Sequence, residues 1–183
     1  MGWLYWILGI LALLVAIIII WIFAVRSHFS GLTYECEDKY AVVDRFIKKR
    51  YELIPGLIES VQEYAAHETG IIEELISLRN RSIAAASLME KCQIESELTD
   101  ALRRLFDSAE KYQKLRISAV FVTLKNDLRA VEQDIANAGE QYNRQVKAYN
   151  VYYDQAVPNV VATLFKLKKL AECDMRIYSV EEE

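Results

Sequence analysis

FVTLKNDLRAVEQDIANAGEQY, residues Phe121–Tyr142, is the stretch that decides the fold. Its apolar residues Phe121, Leu124, Leu128, Val131, Ile135, Ala138 and Tyr142 recur in strict three-four steps. That spacing winds one apolar stripe along an α-helix, with charged and amide residues on the other side. Val146, Tyr149 and Tyr153 carry the stripe on after one extra four-residue step. Such a stutter locally unwinds a coil without ending it.

The same pattern extends N-terminally. Positions 40, 43, 47, 50, 54, 57, 61, 64, 68, 71, 75, 78, 82, 85 and 89 alternate the same two steps, and only Arg50, Glu68 and Ser82 among them are polar. A first helix of about 55 residues is expected, with a kink or short break at Pro55-Gly56, because proline lacks a backbone donor and crowds the preceding turn. Ile94, Leu98, Ala101, Leu105 and Ala109 mark a shorter second helix, and Tyr112–Ser118 is the expected connection to the third. Pro158 suits the first turn of a last helix whose apolar side would be Val160, Leu164, Leu167 and Ala171. No stretch alternates with period two. The expected fold is all-α: an up-and-down four-helix bundle with a long kinked first helix, whose near half could stand out as a stalk.

Trp3–Val25, WLYWILGILALLVAIIIIWIFAV, holds no charge, and Arg26 ends the run. As a helix it reaches roughly 34 Å, a little more than the hydrocarbon core of about 30 Å. Trp3 and Trp6, with Tyr5, lie near one end and Trp21 near the other, where amphipathic rings favour the headgroup layer. The run is too long for a secretory signal and lacks a positive n-region, so retention as an anchor is expected. The division read from sequence is a transmembrane anchor over 1–25, a juxtamembrane linker over 26–33, a helical-bundle domain over 34–177 and an acidic tail over 178–183. Arg26, Lys39 and Arg45 follow the span while the short N-terminal tail is uncharged. The positive-inside rule then puts the N-terminus outside and the domain in the cytoplasm of a single-pass protein of the cell membrane.

The charges total 22 Lys and Arg against 26 Asp and Glu, a net of −4, all beyond the span. That balance argues against a nucleic-acid binder. Three cysteines without CxxC spacing indicate neither a disulfide framework nor a zinc site, and reduced, buried thiols are expected.

No catalytic, cofactor or metal set emerges. His67-Glu68 lacks the second histidine of HExxH, since Ile occupies position 71, and Glu63 and His67 are four apart rather than three. Arg50 and Glu68 interrupt the stripe. They lie about 27 Å apart along a helix, so each needs a partner elsewhere, with Asp127, Asp134 or Asn143 expected. Lys48 and Lys49 beside Arg50 read as a solvated face. Tyr142-Asn143 and Tyr149-Asn150 repeat at seven residues, which suits seam packing with lateral amide hydrogen bonds. The candidate polar-seam or partner residues are therefore Arg50, His67, Glu68, Asn143 and Asn150.

Four of these stretches also carry a family resemblance. IKKRYELIPGLIESVQEYAAHE (Ile47–Glu68) resembles the D/E-L-I-P-N-L-V and Y-x-x-H-E segments of LemA-family proteins. AEKYQKLR (Ala109–Arg116) is similar to the family's A-E-x-Y-P-x-L-K, YNRQVKAYN (Tyr142–Asn150) to its Y-N-x-x-V-x-x-Y-N, and VPNVVA (Val157–Ala162) to its F-P-x-N-x-x-A. Gly56, Gln113 and Val157 replace the usual Asn, Pro and Phe. The resemblance implies a helical bundle on one membrane anchor in a prokaryote and implies no activity, cofactor or substrate. By the same resemblance, some relatives belong to systems that shape or organise bacterial membranes. The expected function is a membrane-anchored structural or interaction scaffold without catalysis. Its partners would be the bilayer and unknown proteins, with homo-oligomerisation possible and no nucleic acid. The alternatives are a sensory or signalling input module and, further off, a membrane-bound hydrolase.

Overall fold

A computed structural model describes residues 2–65 and 68–173. Among these residues the fold is all-helical: α1 (Gly2–Tyr64), α2 (Thr69–Ala84), α3 (Leu88–Ala109), a single turn α4 (Gln113–Arg116), α5 (Ala119–Asp154) and α6 (Ala156–Leu164). His67 and the 178–183 tail lie outside the described residues. The chain divides into two compact units, one of Met1–Asp38 with Arg144–Leu170, the other of Lys39–Asn143 with Ala171–Glu183.

The unit that starts at Lys39 buries most of the expected stripe, but Tyr64 and Met89 on it are exposed, and on α2 it is Ile72 rather than Ile71 that is buried. Val43, Ile47, Ile54, Leu57 and Val61 of α1 are buried, as are Ile72, Leu75 and Leu78 of α2, Leu98, Leu102 and Leu105 of α3, and Leu128, Val131 and Ile135 of α5. Phe106 and Phe121 meet edge to face at 6.1 Å, as do Tyr40 and Tyr142 at 5.8 Å. The expected connection contains α4, whose Leu115 is fully buried.

Three expectations about helix ends change. First, α1 is not broken at Pro55; it runs through to Tyr64. Proline deprives the Tyr51 carbonyl of its helical donor four residues on, and Arg79 Nε of α2 supplies one instead at 3.1 Å. Second, the expected 55-residue helix is two helices. Thr69 and Gly70 are weak helix formers that open α2. α2 ends at Ala84 because Ser87 caps α3: its hydroxyl accepts from Glu90 N–H at 3.2 Å while the Glu90 carboxylate accepts from Ala86 N–H at 3.1 Å. α3 accordingly starts six residues before Ile94. Third, α6 stops at Leu164 rather than near Ala171. Lys166 takes the left-handed conformation (φ 54°), with Leu167 N–H on Ala162 O at 2.9 Å and Lys166 N–H on Thr163 O at 3.2 Å. This is a Schellman ending with lysine where glycine is usual. Pro158 does sit in the first turn of α6, but the described residues buried there are Pro158, Val161 and Ala162, while Val160 and Leu164 are exposed.

In the other unit, α1 carries a window with mean hydropathy 3.2, none of it buried, and is the helix among the described residues long and apolar enough to cross a membrane. Beyond it the chain is not a bare stalk. Val25, Phe29 and Cys36 are buried. Phe29 meets the rings of Tyr149, Tyr152 and Tyr153 at 5.6, 4.8 and 6.4 Å, and His28 meets Tyr152 at 4.5 Å.

Candidate functional site

Arg50 sits on the buried stripe of α1 and is 1% exposed. A guanidinium there must be paired, because an isolated buried charge is very costly. Its Nη1 donates to Glu132 Oε1 of α5 at 2.6 Å and to Thr99 Oγ1 of α3 at 2.9 Å, and its Nη2 donates to Glu95 Oε2 of α3. The Tyr51 and Ser82 hydroxyls both donate to the other oxygen of Glu95 and lie 2.7 Å apart. Thr99 also reaches its own helix, donating to the Glu95 carbonyl at 3.1 Å. Glu95 and Glu132 are 2% and 4% exposed. α1, α2, α3 and α5 thus converge on one dry cluster of a guanidinium, two carboxylates and three hydroxyls. Arg50 Nε is buried there with no acceptor among the described residues. Burial pushes the Tyr51 hydroxyl above its ordinary value, more than the hydrogen bond with Ser82 and the nearby Arg50 charge lower it.

The expected partners Asp127, Asp134 and Asn143 are not the ones used. The Arg50 partners are Glu95, Glu132 and Thr99. A signal for Glu95 was present: 95, 98, 102, 105 and 109 form a second three-four stripe on α3, and only its first member is charged. Glu132 directly follows Val131 of the α5 seam, so its charge borders the core.

Glu68 precedes α2 and takes hydrogen bonds from the Ser108 hydroxyl at 2.5 Å and the Tyr112 hydroxyl at 3.1 Å. It therefore ties the start of α2 to the end of α3. The hydrogen bond to Glu68, followed by burial, raises the Tyr112 hydroxyl above its ordinary value. Lys48 is exposed and pairs with Asp44 at 2.7 Å, and Lys91 of α3 reaches the same carboxylate at 2.5 Å. Burial alone would raise Asp44, but the hydrogen bonds and charges of Lys48 and Lys91 outweigh it and hold the carboxyl below its ordinary value. Tyr40 is pushed up to about 12, first by burial and then by the charge of Asp44.

Both candidate asparagines clamp backbone. In the unit beginning at Lys39, Asn143 donates Nδ2–H to the Cys173 carbonyl at 2.8 Å and accepts the Cys173 N–H at 2.9 Å, while the Tyr142 hydroxyl donates to Ala171 O at 3.3 Å. In the other unit, Asn150 does the same to Leu170, at 2.8 and 3.0 Å, and Tyr149 and Tyr153 donate to Lys168 O and Leu167 O. Each amide fills both the donor and the acceptor of one residue outside the helices, which is what an irregular segment without helical bonds requires.

Cys173 is also disulfide-bonded to Cys92 of α3, with their Cα atoms 5.6 Å apart. The expectation of three reduced thiols holds only for Cys36, which is free and buried, its thiol raised by burial and by Glu35 and Glu37. Spacing could not indicate the pair, because the two cysteines are 81 residues apart.

The candidate membrane anchors Trp3, Trp6 and Trp21 all lie on α1 and are 70%, 77% and 38% exposed, without a protein core around them. Among the described residues no group of three or more His, Cys, Asp or Glu is placed to hold a metal ion. No individually curated protein matches the chain. The family model of the LemA family matches residues 39–181, most of the chain and nearly all of it beyond the apolar run, and the chain belongs to the LemA family.

Proposed function

We propose that this protein is a membrane-anchored scaffold: one span holds an up-and-down four-helix bundle of α1, α2, α3 and α5, which presents helical surfaces to protein partners or to further copies of itself without catalysing a reaction. The observation that supports it is the use made of Arg50. The charge that interrupts the stripe is spent on Glu95 and Glu132 of two other helices. Such a buried polar layer fixes helix register and leaves its groups inaccessible to a substrate. Crosslinking within native membranes, followed by mass spectrometry, is the test. Stable protein partners or homo-oligomers support the scaffold. A purified chain that turns over a substrate and recovers no partner overturns it.

The side of the membrane is a separate proposal. Arg26, Lys39 and Arg45 favour a cytoplasmic domain. The Cys92–Cys173 bond favours a second reading, a domain on the oxidising side, because disulfides are rare in reducing compartments. A topology reporter fused after Glu183 separates them: activity of a cytoplasm-dependent reporter supports the first, and activity of an export-dependent reporter the second.

A further inference from the structure

Arg26 is the first charge after an uncharged run long enough to fill the bilayer core, so a spanning α1 holds it at the headgroup layer. Its guanidinium lies 4.3 Å from the centre of the Phe165 ring, in the turn that ends α6. Phe165 is therefore at the same depth. The residues around it have the composition of a membrane-surface element. Val160 and Leu164, four apart and so on one face of α6, are 67% and 65% exposed. KLKK, Lys166–Lys169, follows directly. Lys169 pairs with Asp154 at 2.8 Å, whereas Lys166 and Lys168 are exposed. Lys166 stands at a left-handed position (φ 54°) that glycine would occupy without strain.

A groove of about 420 Å³ adjoins this turn, lined by Arg26, Ser30, Thr33, Tyr34, Phe165 and Leu167. Glu37 lines it too, but eleven residues beyond Arg26, about 16 Å further along the helix from the span. The membrane-proximal part thus offers the Arg26 guanidinium and the Ser30 hydroxyl, donors that a phosphate diester takes, while the Thr33 hydroxyl donates to the Phe29 carbonyl at 3.0 Å.

We propose that α6 and the Phe165–Lys169 turn form a second membrane contact, which seats Val160 and Leu164 at the acyl boundary and binds anionic phospholipid headgroups through Arg26, Lys166 and Lys168. Apolar area combined with a cluster of basic residues is the pairing that holds a peripheral element on an anionic leaflet. The inference rests on the reading of residues 3–25 as a span.

The test uses the full chain in bilayer discs of mixed phosphatidylcholine and phosphatidylglycerol. Benzoylphenylalanine is placed at Leu164 in one sample and at Ile17, within the span, in another, and intact mass identifies the lipid adducts after irradiation. The expected result is adducts at both positions, with phosphatidylglycerol enriched over its share of the bilayer at position 164 only. Lys166→Gln with Lys168→Gln should lower the ratio of phosphatidylglycerol to phosphatidylcholine adducts at position 164 about tenfold, given the surface attraction carried by each lysine, without changing the melting temperature. Adducts at position 17 but none at 164, adducts at 164 in proportion to the lipid mixture, or a crosslink from 164 to a second chain would each overturn the lipid contact while leaving the span intact. No adduct at position 17 would overturn the span, and the inference with it.

Discussion

Arg50→Met removes the guanidinium that serves Glu95 and Glu132 and leaves both carboxylates in a dry interior. Arg50, Glu95 and Glu132 are 1%, 2% and 4% exposed, so water cannot take over the lost bonds. Removing one partner of such a group costs about 3–5 kcal/mol, a large part of the roughly 5–15 kcal/mol that holds a domain folded. For a chain of this size each kcal/mol moves the midpoint by about 2–4 °C, so melting of the full chain in detergent should fall by about 6–20 °C. Circular dichroism follows it. The decisive arm adds Glu95→Gln and Glu132→Gln to Arg50→Met. If stranded charge causes the loss, neutralising it should recover most of the stability, and the substitutions should be strongly non-additive. A loss below about 1 kcal/mol for Arg50→Met, or a triple variant no more stable than the single one, would refute the argument. A fully stable Arg50→Met chain that has lost a partner would instead move Arg50 into a functional surface.

Arg79→Leu should cost about 1 kcal/mol in the natural sequence, because Pro55 cannot serve the Tyr51 carbonyl, and less in a Pro55→Ala background, where residue 55 regains its N–H; a double-mutant cycle by urea melting reads the difference. Gly56→Ala should stabilise by about 0.5–1 kcal/mol in the same assay, since a β-carbon there meets only Leu124 methyls at 3.6 and 3.7 Å, ordinary contact distances, and alanine is the better helix former. Asp44, held below its ordinary value, contributes stability that is complete above the usual carboxylate range and lost as pH falls through its folded-state value; Asp44→Asn should therefore flatten the acid limb of a melting-temperature profile below about pH 4. Cys92→Ser opens a loop closed across 81 residues and should cost up to about 4.5 kcal/mol on the chain-entropy view, with Cys173→Ser equivalent and the double variant no worse, by thermal melting without reductant.

Helix content was legible wherever burial followed a single stripe. α5 runs from Ala119 to Asp154 across the stutter, as the spacing from Phe121 to Tyr153 requires, because nothing in it competes with the helix. Helix ends were less legible, since they depend on a few local bonds that periodicity does not record. Ser82, Ala85 and Met89 continue the three-four count straight across the gap between α2 and α3, while the stop is written in Ser87 and Glu90, a capping pair that interrupts no stripe. Pro55 shows the opposite case. A residue that should break a helix is tolerated because Arg79, on a different helix, meets the carbonyl it orphans. The end of α6 carries no glycine to announce it, as its left-handed position is held by Lys166.

The candidate site was legible as a problem and not as its solution. A charge on an apolar stripe has to be paired, so Arg50 could be singled out from spacing alone, but which carboxylates reach it depends on helix rotation. Glu95 and Glu132 win over Asp127 and Asp134 for a physical reason visible afterwards. Glu95 stands on the α3 stripe that continues through Leu98, Leu102, Leu105 and Ala109, and Glu132 borders Val131, so both project toward the core, where an unpaired carboxylate would be very costly. The three ions are interdependent: each offsets the desolvation of the others, so removing one is costly. The same holds for Asn143, whose amide looks like ordinary seam polarity until Cys173 lies against it, because its two bonds go to backbone and backbone partners leave no trace in side-chain patterns. Interruptions of an apolar stripe are therefore best read in sets. Arg50 and Glu95, each at odds with its own helix, together identify the layer where α1 and α3 face each other, and the second interruption of the same sequence stripe, Glu68 at the start of α2, meets Ser108 and Tyr112 near the other end of α3.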